Sequence, residues 1–188
     1  MQIFLQNYRN LLYWKQKDGD CVSKMKTAYF AGGCFWCITP IFREMDGVLH
    51  VGSGYCGGDE VNPVYADVKK QKTGHRETIR IDYDPSRVSY EELLQVFLRS
   101  VDPFDGGGQF IDRGHSYTLA VYYQSEDQRQ SAEAAIRQLE ASSGRPVQIS
   151  VESFKHYFSA EEEHQNYDLK HPKEFEQELI DSGRRGKN

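Results

Sequence analysis

Two cysteines three residues apart are the first feature of this sequence that could do chemistry. Cys34 and Cys37 lie in "AGGCFWCITP", behind a glycine pair. Such thiols can act as nucleophiles, redox centres or metal ligands, or they can simply fill a core, since free cysteine is often buried. A thiol at a helix N-terminus has its thiolate stabilised by the helix dipole. Thr39 and Pro40 also suit an N-cap and a first helical position, so the helix begins either near Cys34 or at Thr39.

Glu77 is the candidate acid. It stands near the start of the alternating segment "RETIRIDYDP", and strand parity places it on the same face as Ile79, Ile81 and Tyr83. A carboxyl directed toward apolar side chains is desolvated, which raises its pKa and keeps it protonated near neutral pH. Such an acid can give a proton to an oxygen that is gaining negative charge. The alternative is a glutamate at a frayed strand end, turned to solvent.

A zinc site is an alternative use of the cysteines. Cys34 and Cys37 have zinc-knuckle spacing, and Cys56 with His50 or His75 would complete a set of four ligands. The second Cys or His pair of a zinc signature is missing, however, and two bulky aromatics separate the first pair. We therefore expect no bound metal.

Two glycine-rich segments resemble nucleotide-binding loops without matching them. "GSGYCG" fits G-x-G-x-x-G, but a turn-rich segment containing Pro63 follows where that fingerprint requires a helix, and "GGGQF" lacks the Gly-Lys-Ser/Thr ending of a phosphate loop. We expect no bound cofactor.

Composition limits the class of protein. The chain has 188 residues, enough for one domain with a real core, and no apolar run is long enough to span a membrane. A net charge of −5 with no basic stripe argues against a nucleic-acid partner. All four cysteines, among them Cys21, lie in the first third, and the N-terminus lacks the apolar stretch of a secretory signal. We expect a cytoplasmic protein with reduced thiols and no membrane partner.

Strand and helix patterns alternate along the chain. Capping boxes at Ser89 and Ser125 begin two helices, a third helical start is expected at Ser159, and the last helix stops at Gly183. The predicted strands are "TAYFAGG", "VLHVGSGY", "RETIRIDYDP", "YTLAVYYQ" and "VQISVESF". Because several strands follow one another directly, we predict an α+β fold, a ferredoxin-like two-layer α/β sandwich with a mostly antiparallel sheet and long glycine-rich loops.

A set of short motifs occurs in a fixed order between about residues 26 and 170. Each motif alone is a weak signal, but the combination is highly specific. The motifs are "GGCFW", "GYCGG", "NPVY", "TGH-R-E", "YDP", "GGQFIDRGHSY" and "AEEEHQNY". In these motifs the sequence resembles the A-type peptide methionine sulfoxide reductases, and the "FWC" and "GGQF-DRG" variants resemble the bacterial branch of that family. Because the resemblance starts near residue 26, it implies an N-terminal extension over residues 1–25 and a single catalytic domain over residues 26–188.

The resemblance implies a reaction and a role for each matching residue. Cys34 would attack the sulfur of methionine-S-sulfoxide, with Phe35 and Trp36 forming the apolar walls around the substrate methyl group. Glu77 would protonate the sulfoxide oxygen. The remaining site residues would be the hydroxyls of Tyr65 and Tyr117, which assist the acid, and Asp112, which hydrogen-bonds within the site or to substrate. His164 would usually face solvent, and we assign it no chemistry.

The resemblance also implies how the enzyme is recycled. Attack leaves a sulfenic acid on Cys34, and a second thiol resolves it. Many family members carry resolving cysteines in a C-terminal tail, but "DSGRRGKN" has none, so the candidates are Cys37, Cys56 and Cys21. We favour Cys37, with Cys56 or direct reduction by an outside thiol as alternatives. Thioredoxin or a similar thiol, supplied by NADPH through thioredoxin reductase, is the expected reductant, and methionine sulfoxide, free and in oxidised proteins, the expected substrate.

A general dithiol–disulfide oxidoreductase is the main rival. It would use Cys34 and Cys37 on insulin-type disulfides and would have no need of Glu77. The bulky aromatic pair between the cysteines argues against it. A zinc-stabilised binding module is the rival outside the enzymes.

Overall fold

A six-stranded sheet is the framework of the computed structural model, which describes residues 25–185. In chain order its strands are β1 (Lys26–Gly32), β2 (Val48–Cys56), β3 (Arg76–Tyr83), β6 (Leu119–Tyr123), β7 (Ile149–Ser153) and β8 (Tyr157–Ser159). Their spatial order is β7-β6-β1-β3-β2-β8. A separate hairpin of β4 (Gly108–Gln109) and β5 (Asp112–Arg113) lies within the second glycine-rich connection.

The α+β class predicted from the sequence is confirmed, and the sheet is mixed. Strands β6 and β7 pair in parallel, whereas the other neighbouring pairs in the six-stranded sheet are antiparallel. The parallel pair has a simple origin, because the helix Glu126–Ser143 connects its two strands as a crossover. The ferredoxin-like arrangement and the division into residues 1–25 and 26–188 stay predictions, and Cys21 lies outside the described residues.

Six helices accompany the strands in residues 25–185. They are α1 (Phe35–Arg43), α2 (Tyr65–Lys69), α3 (Tyr90–Ser100), α4 (Glu126–Ser143), α5 (Tyr167–Lys170) and α6 (Pro172–Asp181), with 3₁₀ turns at His115–Tyr117 and Glu162–His164. The capping box at Ser89 is confirmed, since its side chain and that of Glu92 each accept the other's backbone N–H. At Ser125 the hydroxyl accepts the backbone N–H of Gln128. The Gln128 side chain accepts the backbone N–H of Gln124 and not that of Ser125, so the second half of the capping box is not formed. Each described helix is too short or too polar to cross a membrane.

The helical start expected at Ser159 is wrong. Ser159 ends strand β8, which pairs antiparallel with β2, and only a 3₁₀ turn follows. Gly54 permits this pairing, because a Cβ there would lie 2.4 Å from the Phe158 carbonyl oxygen. Backbone pairing at the sheet edge thus overrides the local capping pattern of the tail.

The two faces of the sheet bury different clusters. On one face, under α1 and α3, Phe30 stacks on Phe97 with ring centroids 4.8 Å apart, and Ile79 and Ile81 are fully buried. The other face buries a smaller cluster made of Tyr29, Ala31, Cys56, Ala120 and Tyr122. Successive side chains on β3 therefore point alternately to the face that packs under α1 and to the opposite face of the sheet.

Candidate active site

Cys34 lies at the N-terminus of α1, in the connection that leaves the central strand β1. It is the N-cap residue, with φ −56° and ψ 115°, and Pro40 lies inside the helix. The helix therefore begins at Phe35, which decides between the two starts that the sequence allowed. Gly33 makes the turn with φ +79°, and a Cβ there would lie 2.7 Å from Cβ of Gln109. A glycine is needed here both for the backbone angle and for the close approach.

Glu77 lies directly under this helix end. Its carboxyl Oε2 accepts the backbone N–H of Phe35 at 3.0 Å, and the side chain is 1% exposed, on the buried face that strand parity predicted. Burial raises the pKa of Glu77 to about 8, although the Phe35 N–H and a hydrogen bond from the Tyr117 hydroxyl act to lower it. The negative charge of Asp112 raises it further. At neutral pH the group is mostly an un-ionised acid.

The Cys34 thiol is also held in its protonated form. A hydrogen bond with the Cys37 thiol is the largest cause that raises the pKa of Cys34 well above its ordinary value, and burial is the next. The charges of Glu77 and Glu178 raise it further. The sequence had suggested a thiolate stabilised by the helix N-terminus. The position is as expected, but these neighbours outweigh the helix dipole.

Only one of the two described partner cysteines lies beside Cys34. The Cys37 backbone N–H donates to the Cys34 carbonyl at 3.1 Å, and the two sulfurs lie within 4.8 Å of each other. Cys56 pairs across from Arg76 while its neighbour Tyr55 pairs across from Glu77, so Cys56 points to the opposite face of the sheet. There it is 1% exposed in the smaller cluster.

The zinc set considered from the sequence is not brought together. Cys56 is separated from the cysteine pair by the sheet. The ring of His75 is occupied by the Gly58 N–H and the Glu60 carbonyl, and His50 is exposed beside Asp82.

Aromatic rings form the wall beside Cys34. Phe35 is fully buried and stacks with Tyr65 at a centroid distance of 6.2 Å. Trp36 stacks on Tyr167 at 3.9 Å with an interplanar angle of 10°. His164 packs 4.1 Å from Tyr65 and is 7% exposed, so the expectation that it faces solvent is wrong. The 3₁₀ turn after β8 carries it into the wall, a packing that no local pattern revealed.

Two tyrosines lie near the buried acid, and the hydroxyl of Tyr117 hydrogen-bonds to it. Burial raises the pKa values of both Tyr65 and Tyr117, and the nearby charge of Glu77 raises them further. Both therefore stay protonated and able to donate. Glu161 positions Tyr65, since its carboxylate accepts hydrogen bonds from the Tyr65 backbone N–H and from the Tyr55 hydroxyl, each at 2.8 Å. Glu161 was not identified from the sequence.

The C-terminal segment, residues 167–185, covers the site. From α6, Glu178 accepts a hydrogen bond from the Cys34 thiol at 3.9 Å. Arg184 forms a salt bridge to Asp112 at 3.0 Å and lies over the Phe110 ring at 4.5 Å. Cys34 is consequently only 4% exposed. The sequence predicted the helix but carried no signal that Glu178, 144 residues from Cys34, would reach the thiol.

Known proteins similar to this chain include methionine sulfoxide reductases. A peptide methionine sulfoxide reductase MsrA of Bacillus licheniformis is 44% identical over 165 residues, covering 87% of this chain and 91% of the relative. Among solved structures, methionine sulfoxide reductase A of Corynebacterium diphtheriae matches with a TM-score of 0.72 and 29% identity over 79% of this chain and 76% of that one. Reduced Mxr1 of Saccharomyces cerevisiae matches with a TM-score of 0.76 and 26% identity over 85% and 92%.

A family model also matches this chain. The model described as peptide methionine sulfoxide reductase matches residues 26–187, which is most of the chain. This protein belongs to the peptide methionine sulfoxide reductase family.

Proposed function

We propose that this chain reduces methionine-S-sulfoxide, free and in oxidised proteins, to methionine. The observation that carries the proposal is the contact between Glu77 and the first residue of α1, because it fixes an un-ionised acid beside the Cys34 thiol. A sulfoxide is a poor electrophile until its oxygen is protonated or strongly hydrogen-bonded. A thiol and an acid converging on one site meet that requirement.

In the first step the Cys34 thiol loses its proton to solvent and the thiolate attacks the sulfoxide sulfur. Glu77 gives its proton to the sulfoxide oxygen, while the hydroxyls of Tyr65 and Tyr117 donate hydrogen bonds to it. The oxygen then passes to Cys34. Methionine leaves reduced by two electrons, Cys34 becomes a sulfenic acid oxidised by two electrons, and Glu77 regains its proton from solvent.

Phe35 and Trp36 supply the apolar surface for the substrate methyl group. Their rings lie with Tyr65 and His164 in one wall next to Cys34. An apolar wall beside a buried acid binds a thioether end and also excludes water, which keeps the acid un-ionised.

Cys37 resolves the sulfenic acid in this proposal. Its thiol attacks the Cys34 sulfur, a disulfide forms and water leaves. The two sulfurs already lie within 4.8 Å of each other, whereas Cys56 faces the other side of the sheet. An external dithiol such as thioredoxin then reduces the disulfide, with electrons from NADPH through thioredoxin reductase. The yeast relative Mxr1 has been solved in complex with Trx2, which supports a reductant of this class.

Substrate entry requires the C-terminal segment to move. Cys34 is 4% exposed, Glu178 lies against its sulfur, and Arg184 occupies Asp112. A groove of about 580 Å³ is lined by Ile111 and by residues of α6, among them Glu178. Because Glu178 both lines this groove and contacts the Cys34 thiol, displacing α6 would open the thiol toward the groove.

A diastereomer-resolved assay tests the proposal. The S and R sulfoxides are supplied separately to the wild-type chain and to Cys34→Ser, with a thioredoxin system as reductant. We expect reduction of the S form alone, abolished in Cys34→Ser while its circular dichroism spectrum is retained. Turnover by Cys34→Ser, or reduction of insulin disulfides with no sulfoxide activity, would contradict it.

A further inference from the structure

Three side chains with metal-ligand chemistry meet at the start of α1. The sulfurs of Cys34 and Cys37 and a carboxylate oxygen of Glu178 all lie within 4.8 Å of one another. Both cysteines are buried, and Glu178 is half-buried. The reaction proposed above accounts for the two thiols but gives Glu178 no chemical role.

The geometry suits a tetrahedral zinc ion. Zn²⁺ accepts thiolate sulfur at about 2.3 Å and carboxylate oxygen at about 2.1 Å, so the ligand atoms of a tetrahedral site lie about 3.6–3.8 Å apart. The Cys34 sulfur and the Glu178 oxygen are already 3.9 Å apart. The two sulfurs and the Glu178 oxygen lie no more than 4.8 Å apart. To reach the spacing of a tetrahedral site, each pair of these atoms must therefore come closer by no more than roughly 1 Å. Rotations of the three side chains can supply this.

The surrounding charges are compatible with a bound cation. Besides Glu178, the carboxylate of Asp112 acts on this region, and the positive groups that act on Glu178 are Arg184 and Lys69. Arg184 is engaged by Asp112 at 3.0 Å. A divalent cation bound by two thiolates and a carboxylate would give the site a net charge of about −1. The positive charge of the neighbouring Arg184 would stabilise it.

We propose that the reduced chain binds one Zn²⁺ through Cys34, Cys37 and Glu178, with water as the fourth ligand, and that the ion holds α6 closed over the thiol. Binding breaks two S–H bonds and releases two protons, while the hydrated ion gives up all but one of its water ligands. Two Zn–S bonds and one Zn–O bond to Glu178 form, with no electron transfer. Because it occupies the Cys34 sulfur, the ion also switches off any chemistry of that thiol and shields it from oxidants. Three protein ligands leave the ion accessible to chelators, so the state is reversible.

The test is a zinc titration of the reduced full-length chain against a chromophoric chelator. We expect one equivalent to bind, with at least tenfold weaker affinity in Glu178→Gln and in Cys37→Ser. The matched controls are Glu174→Gln, an exposed acid on the same helix, and Cys56→Ser, a buried cysteine on the far face. Both should retain wild-type affinity. Substitution with Co²⁺ should show thiolate-to-metal charge-transfer absorption.

A second measurement reports on whether the ion occupies the Cys34 sulfur. Stoichiometric Zn²⁺ should slow alkylation of Cys34 by iodoacetamide at least tenfold, and EDTA should restore the rate. The inference is overturned if the reduced chain binds no zinc or if the Co²⁺-loaded chain shows no thiolate absorption. It is also overturned if Glu174→Gln weakens zinc binding as much as Glu178→Gln does, since that result would indicate a carboxylate site on the surface of α6. None of these readouts involves sulfoxide reduction, so a failure here is distinguishable from a failure of the proposed function.

Discussion

The backbone N–H of Phe35 donates to the Glu77 carboxyl at 3.0 Å, so the residue next to Cys34 itself holds the acid in place. This contact ties two parts of the fold together, because the start of α1 sits on the buried face of β3. The thiol and the acid therefore cannot separate without unwinding the first turn of the helix. Pre-organisation of this kind reduces the free energy spent on orientation during reaction.

The buried acid should make stability depend on pH. The pKa of Glu77 is about 8 in the folded chain against an ordinary 4.5, so the folded state binds this proton more tightly than the unfolded state. Its contribution is fully present below about pH 4.5 and is lost as the pH rises through about 8. Relative to Glu77→Gln, the wild-type free energy of unfolding should fall by a few kcal/mol over this range, since one pKa unit is about 1.4 kcal/mol. Urea denaturation at several pH values measures it, and parallel curves for the two chains would contradict it.

Removing the charge of Glu178 should make the Cys34 thiol more reactive. The Glu178 carboxylate raises the pKa of Cys34, so Glu178→Gln should lower that pKa and increase the thiolate fraction. In zinc-free buffer near pH 8 we expect alkylation by iodoacetamide to be roughly three- to tenfold faster. Glu174→Gln is the control, because Glu174 is exposed on the same helix. An unchanged or slower rate in Glu178→Gln would show that the contact does not hold the thiol protonated.

Gly33 should be far less tolerant of alanine than another glycine with positive φ. Gly33→Ala combines a left-handed backbone with a Cβ 2.7 Å from Gln109 and should cost about 2 to 4 kcal/mol of stability. Gly144 at the end of α4 has φ +66° and open space around its Cβ position, so Gly144→Ala should cost only about 1 to 2 kcal/mol. Equal losses in urea denaturation would mean that the contact with Gln109 is unimportant.

The position of Cys37 predicts which disulfide forms. After one turnover without reductant, peptide mass mapping of the wild-type chain should show a Cys34–Cys37 bond. Cys37→Ser should instead accumulate the Cys34 sulfenic acid, which dimedone traps, whereas Cys56→Ser should behave as wild type. A bond that includes Cys56 would require the strand β2 to open and would refute this assignment.

Sequence reasoning succeeded where a local rule was sufficient. The parity of β3 placed Glu77 on the buried face, and the capping box at Ser89 located the start of α3. Cys34 was likewise expected at a helix start. The choice between Phe35 and Thr39 as the first helical residue needed the fold, because both local signals were acceptable and only the packing of α1 on β3 favours the earlier one.

What the sequence could not show depends on packing between distant segments. His164 becomes buried because the tail returns along β2 and turns inward, and Ser159 joins that edge instead of starting a helix. Glu178 contacts Cys34 and Arg184 contacts Asp112, although the partners are far apart in the sequence. No periodicity or motif within the tail encodes those contacts, since each depends on the surface that the rest of the fold presents.

The pH dependence of kcat/KM for methionine-S-sulfoxide, measured in parallel for the wild-type chain and Glu77→Gln, tests the central claim most directly. Because the reaction needs the Cys34 thiolate as well as protonated Glu77, the account predicts that the wild-type value rises with pH up to about 8 and then levels off, where Glu77 loses its proton. Glu77→Gln should be about 10²- to 10⁴-fold slower at pH 7, and its value should keep rising through pH 8 with the thiolate fraction. A wild-type profile that keeps rising through pH 8 as the variant's does, or a Gln variant that retains wild-type activity, would contradict the assignment of Glu77 as the acid.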